Sequence, residues 1–457
     1  MADLVLSLLD LPDGTLLAGG PGGIARLSGD SRTTEWVRVD SPIRTVATFA
    51  RGLVDGSPVV LAGGVDGVAR SENGGLSWQG TETEGGTQPV AALVVHDDAA
   101  IAGTLGGGIL RSTDAGRTWQ RSNFGLPSHD VTALLMSGTT VIAGTPDGVY
   151  WSPNAGRAWR VAMSSAGKSV AGLASTPGDA AVAVTEAGEL LCSSDDGRTW
   201  RIMKALPDNV LPVALAITDD TVCVVATAEH GILGSRLRGE GITRSPDVAA
   251  LALLRTGPDS RSPRSGTGTR LIAGGPDGLA VSRDSGATWH SYGCPALDDL
   301  DNTIAVPGGE LRWGRLSGMI GPRGALEGLP LPLMAVALTP DGGLLISSAA
   351  GLWRSPDLGE SWRVVLEGDT GRVHHLAFRA DGTGWAGDAE GGRLMHTEDH
   401  GESWQQTSVP WAPARLLAMA SEQDVIGAMT ADPARGIATV WYCDRTRTWT
   451  PAGPPLQ

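Results

Sequence analysis

Lysine is almost missing from this 457-residue chain: Lys168 and Lys204 are the only two. Phe and Tyr are scarce as well, three of each, whereas Trp occurs fifteen times. A sequence that economises on aromatics yet keeps Trp gives Trp one particular role. Basic charge is therefore nearly all arginine, and 35 Lys+Arg against 50 Asp+Glu leave a formal charge of −15. That balance argues against nucleic acid as a partner, because a phosphate backbone is neutralised by basic residues. The four cysteines, Cys192, Cys223, Cys294 and Cys443, stand far apart without CxxC or other metal-type spacing. Free thiols in a reducing compartment fit that spread better than two disulfides. No apolar run approaches the roughly 20 residues needed to span a bilayer. The opening MADLVLSLLDLPDGTLLAGG lacks a basic n-region and reads as a first strand, not a signal peptide. These absences lead to the expectation of a soluble, cytoplasmic protein.

What is abundant is turn-forming residues, with 65 Gly and 28 Pro. They recur in order. The octapeptide STDAGRTW (112–119) returns as SENGGLSW (71–78), SPNAGRAW (152–159), SSDDGRTW (193–200), SRDSGATW (282–289), SPDLGESW (355–362) and TEDHGESW (397–404). The pattern is Ser/Thr-x-Asp/Asn-x-Gly-x-x-Trp. Upstream of each copy the same grammar repeats: an alternating strand, a second strand, a short turn, a third strand, the octapeptide, and a fourth strand. Degenerate copies fill the gaps, with closing positions at Trp36, Ile242, Leu326 and Trp449. Eleven units of about forty residues result, the period of a four-stranded propeller blade.

These octapeptides resemble those of the BNR/Asp-box family of β-propellers, and the resemblance covers essentially the whole chain. It implies an all-β propeller in which the box lies on the outer rim, away from the central channel. Relatives in that family include sialidases, two-propeller xyloglucanases, sortilin-type receptors and a photosystem II assembly factor, so the resemblance does not select an activity.

The box itself reads as a fastener. Its residues are Ser71, Asn73, Gly75 and Trp78; Ser112, Asp114, Gly116 and Trp119; Ser152, Asn154, Gly156 and Trp159; Ser193, Asp195, Gly197 and Trp200; Ser282, Asp284, Gly286 and Trp289; Ser355, Asp357, Gly359 and Trp362; and Thr397, Asp399, Gly401 and Trp404. The Asp accepts hydrogen bonds from its own turn, the Gly permits a positive φ, and the Trp buries a large ring between neighbouring sheets. Asn73 and Asn154 replace Asp in two copies, which suits a turn and would cripple carboxylate catalysis. Because the spacing stays near forty throughout, one continuous ring of ten or eleven blades over 1–457 is favoured. Two smaller propellers, 1–205 and 206–457, are the alternative. RTGPDSRSPRSGTG (255–268) reads as a flexible insert loop inside one unit.

Turns between second and third strands bring Asp66, Asp147, Glu186, Glu229, Asp277, Asp388, Glu390 and Asp432 to one mouth of the channel, with Arg435 the only Lys or Arg among them. Asp before Gly is good turn chemistry in its own right. A sharper reading is an acidic rim that docks a basic partner surface by long-range attraction. Sialidase chemistry would require, by the resemblance, an arginine triad, a Tyr nucleophile and an F/Y-R-I-P signature. SPIRTV (41–46) is the nearest string and does not match; Tyr150 sits at a packing position, Tyr292 follows a box Trp and Tyr442 lies within a degenerate box, so none is expected on a channel-facing first strand. Paired carboxylates for a glycosidase are harder to discard, with LDDLDN (297–302) and DHGE (399–402) as strings and Trp313, Trp385, Trp411 and Trp441 outside the boxes. His374 and His375 point to opposite faces of a strand, while His396 immediately precedes a box and His400 lies inside it, so no metal is expected there. AGGPGG and AGGPDG are strand-to-strand turns without a following Lys, so no phosphate loop and no cofactor is expected. The expected function is a non-enzymatic scaffold for protein–protein interaction, a subunit or assembly factor of a larger complex, without membrane insertion; the alternative is a carbohydrate-active propeller.

Overall fold

Antiparallel pairing between sequence neighbours generates the architecture. The computed structural model describes residues 4–27, 36–54, 57–96, 99–237, 241–256, 270–276, 278–293, 297, 300, 302–326, 328–348, 350–368, 373–388, 392–412, 414–422, 425–432, 437–443 and 448–452. Within them lie eleven sheets built on four consecutive strands, the number and type expected from the repeat, and no helix long and apolar enough to cross a membrane. The third sheet gains a fifth strand, Glu82–Thr83, which runs parallel to Thr118–Arg121.

The chain divides into two compact units, Met1–Asp298 with seven sheets and Asp299–Gln457 with four. In the first unit the innermost strands are Ser7–Asp10, Val46–Val54, Val90–His96, Ala133–Ser137, Val170–Ser175, Pro212–Ile217 and Ala252–Thr256. Each packs against the next, and Ala252–Thr256 of the seventh sheet packs against Ser7–Asp10 of the first. Seven sheets therefore close among themselves. Closure at this point departs from one continuous ring through all eleven, and the division at 298/299 departs from the alternative at 205/206. Evenly spaced repeats cannot signal such a boundary, because the period does not change where a ring closes.

Glycine sets the joint. A Cβ added to Gly19, Gly63, Gly103, Gly144 or Gly274, all on second strands, would lie 2.6 Å from a methyl of Val46, Val90, Val131, Val170 or Val5 respectively, each preceding or starting the innermost strand of the adjacent sheet. The backbone must come this close for blades to stack, and only Gly allows it. In the first unit second strands such as Ala99–Thr104 and Thr140–Thr145, covered by neighbours on both faces, are wholly buried, whereas a fourth strand such as Arg160–Val161 is exposed. This explains runs such as "AAIAGT", where small apolar residues replace strict alternation.

In the second unit the innermost strands Asn302–Val306, Leu333–Leu338, His375–Phe378 and Arg415–Glu422 pack in sequence. The weakly matching repeat around Leu326 does form a four-stranded sheet, whose last turn, Pro322–Arg323, is a tight hairpin in place of a box. Trp385 and Trp411 are buried core, in contact with Trp441 and Trp449. The insert 255–268 lies outside the described residues from 257 onward; Arg255 and Thr256 end a strand.

Candidate functional site: the turn rim of the first unit

Carboxylates in the boxes are occupied by their own turns. Asp114 Oδ1 accepts from the amides of Arg117 at 3.0 Å and Thr118 at 2.9 Å, and Oδ2 accepts from the Thr118 hydroxyl at 2.6 Å. Ser112 donates to Asp114 at 2.7 Å and accepts from the Gly116 amide at 2.9 Å. Asn154 reproduces the pattern, accepting from Ser152 at 2.8 Å and Ala158 N–H at 3.0 Å. Burial pulls the carboxyls of Asp114, Asp195, Asp284 and Asp399 upward, but the hydroxyl and amide donors of their turns outweigh it and leave each below its ordinary value. At Asp357 the Ser361 hydroxyl, helped by Ser355, brings the pKa down to about 2. Trp119 is 1% exposed and packs with Val59, Leu61 and Val68 of the preceding sheet; its indole N–H donates to Gly116 O at 3.2 Å.

Two features of the box are not evident from its sequence pattern. The residue before Gly116 is also left-handed, at φ 59° for Ala115, and the same holds for Ala155, Asp196, Ser285, Leu358 and His400. The carbonyl this exposes is taken by an arginine of the preceding sheet, buried at 70 and 354 and half-buried at 111: Arg70 Nε donates to Ala115 O at 3.0 Å, Arg111 Nε to Ala155 O at 2.8 Å and Arg354 Nε to His400 O at 3.1 Å. The signal is an Arg directly before the box Ser in ARSENGG, LRSTDAG and WRSPDLG.

The opposite end of the sheets carries the turns between second and third strands. Asp66, Asp147, Glu186 and Glu229 occupy these turns in the second, fourth, fifth and sixth sheets, and all four are exposed. The third sheet has no acid in its turn, Leu105–Gly108. Asp130, from the connection to the fourth sheet, supplies one by accepting from the Gly106 amide at 2.8 Å. Sequence reasoning missed it because the residue lies outside the turn. Asp66 is tied in the converse sense, accepting from the Arg44 amide of the connecting segment at 3.0 Å. An arc of exposed carboxylates thus follows one edge of consecutive sheets, two to six. Burial, and then the charge of Asp147, push the Tyr150 phenol up. Lys168 on the same edge pairs with Glu189. Asp277 and Glu390 lie outside the described residues, as does Arg435; Asp388, in the second unit, accepts from Gly392 N–H at 3.0 Å, and Asp432 ends a strand there.

The innermost strands of the first unit offer little to a reaction. Their seven segments hold a single carboxylate, Asp10, 4.0 Å from Arg51. Among the described residues no group of three or more His, Cys, Asp or Glu is placed to hold a metal. Burial, then the charge of His374, lower the His375 pKa, and His396 meets Trp385 edge-to-face with centroids 4.6 Å apart. Cys223 is buried, and burial pushes its thiol up to about 12.

No family model matches the chain, and no curated protein matches it. Solved structures do. A GH74 xyloglucanase from Xanthomonas campestris superposes with a TM-score of 0.59 at 15% identity, over 99% of this chain and 80% of the enzyme. The extracellular domain of a putative one-component system from B. thetaiotaomicron gives 0.47 at 12% identity over 100% of this chain and 72% of its own. PorZ, a surface component of the type-IX secretion system of Porphyromonas gingivalis, gives 0.45 at 12% over 96% and 65%. The fold is thereby that of multi-blade β-propellers. The expected cytoplasmic location is overturned: the neighbours of stated location are extracellular domains or a bacterial surface component.

Proposed function

We propose that this protein is a non-enzymatic β-propeller scaffold that mediates protein–protein interaction as a subunit or assembly factor of a larger complex. In this reading the turn rim of the first unit is the docking edge, and the partner presents a basic surface. One observation carries it: Asp66, Asp130, Asp147, Glu186 and Glu229 are exposed along one edge of consecutive sheets. Carboxylates so arranged, on a chain of net charge −15, attract a basic surface at long range and lose that attraction in salt. The repeated box geometry supports membership of the BNR/Asp-box propellers, with the box carboxylates serving as structural fasteners. A shared fold with a xyloglucanase does not transfer its chemistry. The test is affinity purification of the full chain from native lysate across a salt series, alongside a panel of glycan substrates. A partner retained at low salt and released at high salt supports the scaffold. Glycan hydrolysis that disappears on changing a rim carboxylate overturns it.

A further inference from the structure

The outer edge of the fourth and fifth sheets differs in character from the rest of this acidic chain. Trp151, on the third strand of the fourth sheet, faces Arg160 across the strand pair. Arg198, from the box turn of the fifth sheet, reaches the same ring, and each guanidinium carbon stands 5.3 Å from the indole centroid. The two sheets therefore meet over one aromatic ring with two cations fixed above it. Met163 borders this junction. Its amide donates to Arg198 O at 2.9 Å and its carbonyl accepts from Trp200 N–H at 3.1 Å, while its side chain is 69% exposed. Ile202, 55% exposed, pairs with Leu191, which packs with Val149 and Ala162 of the fourth sheet. Ile202 thus stands on the face turned toward that sheet.

Four arginines elsewhere in the molecule set a contrast. Arg70, Arg117, Arg354 and Arg363 are in ion pairs with Glu or Asp. On this edge Arg157, Arg160 and Arg201 are exposed and make no ion pair among the described residues, and Arg198 meets only Asp196, at 4.0 Å. The box of the fourth sheet carries Asn154 where five others carry Asp, which removes a neutralising carboxylate at this spot. Stacking on an indole fixes the plane of a guanidinium and leaves its N–H fork directed outward. Such a fork recognises carboxylates bidentately. Exposed Met and Ile beside exposed Arg have the composition of an interaction core, where apolar contact and arginine anchors dominate.

We propose that this junction docks an extended acidic segment of another protein, with carboxylates on Arg160 and Arg198 and an aliphatic or aromatic side chain against Met163 and Ile202. The surface is separate from the acidic rim, and the inference stands whether or not the rim binds a partner. Nucleic acid also carries anions, but the chain's charge of −15 repels a polyanion far more strongly than a short acidic peptide.

A labelled short peptide alternating Glu with Leu and Phe serves as the probe, titrated into the full chain by fluorescence anisotropy. The same peptide with Gln for Glu, and an oligothymidylate, are the comparisons. Binding of the Glu peptide, weakened roughly tenfold or more in Arg160→Gln/Arg198→Gln and unaltered in Arg283→Gln at a distant box, supports the proposal. Met163→Ser weakens the same peptide while preserving its salt dependence. Circular dichroism confirms that each variant is folded. Equal binding by the double variant, equal binding of the Gln peptide, or tighter binding of oligothymidylate overturns it. Sedimentation showing self-association that the double variant abolishes also overturns it, since a second copy would then be the occupant.

Discussion

The amide of Val5 donates to the carbonyl of Gly275 at 3.0 Å, as the amide of Val131 donates to that of Thr104 at 2.9 Å. The second bond joins the third sheet to the fourth; the first joins the seventh to the first. The chain therefore uses one joint both to continue the ring and to close it. Gly274→Ala places a methyl against Val5 and is expected to lower stability by about 1–3 kcal/mol through overpacking. Adding Val5→Ala restores part of the loss. Urea melts of the three variants check the coupling, and additive effects would contradict it.

Box carboxylates act as acceptors, so their replacement follows acceptor count. Asp114→Ala leaves turn amides without partners and is expected to cost about 1–3 kcal/mol. Asp114→Asn costs less, because Asn73 and Asn154 already serve as acceptors in their own boxes. Asn73 Oδ1, for instance, accepts from Ser77 N–H at 3.0 Å. Thermal melts rank the variants, and equal losses for Ala and Asn would contradict the account.

Acid should unfold the protein through these same groups. Asp114, Asp195, Asp284 and Asp399 sit below their ordinary value when folded, and Asp357 at about 2. A carboxyl depressed by folding contributes stability above its unfolded pKa and loses that contribution as pH falls through the folded one. The melting temperature is therefore expected to drop between about pH 4 and pH 2. Combined Asn replacements flatten that limb. An unchanged slope would show that other groups govern it.

Arg354, 1% exposed, donates to His400 O and pairs with Asp341 and Glu402, the latter at 2.9 Å. Arg354→Leu is expected to destabilise the second unit by about 2–3 kcal/mol, toward the lower end for a broken buried pair because both carboxylates are partly exposed and rehydrate. Arg354→Lys recovers less than half, lacking the fork that reaches three acceptors. Denaturant melts provide the measurement.

The repeat made the blade legible because each copy states its own chemistry. Asp114, Gly116 and Trp119 do what their residue types suggest, and the sheet count follows from the period. What stayed hidden depends on contacts between copies. Nothing in the string around Val5 says that its neighbour is Gly274 and not a residue of the eleventh sheet. Asp130 joins the rim from a connecting segment, where no turn motif marks it. Ala115 adopts a left-handed backbone that its identity does not advertise. Arg160 follows one box and Arg198 lies inside the next, and only folding brings both over Trp151.

The central claim is that function resides in the exposed carboxylates of the turn rim and not in the boxes. Quantitative affinity purification from native lysate at low salt tests it with two full-length variants, Asp66→Asn/Asp147→Asn/Glu186→Gln/Glu229→Gln and Asp114→Asn. The account predicts that the fourfold rim variant loses its co-purifying partner while remaining folded, and that Asp114→Asn retains it. Retention of the partner by the rim variant would contradict the account.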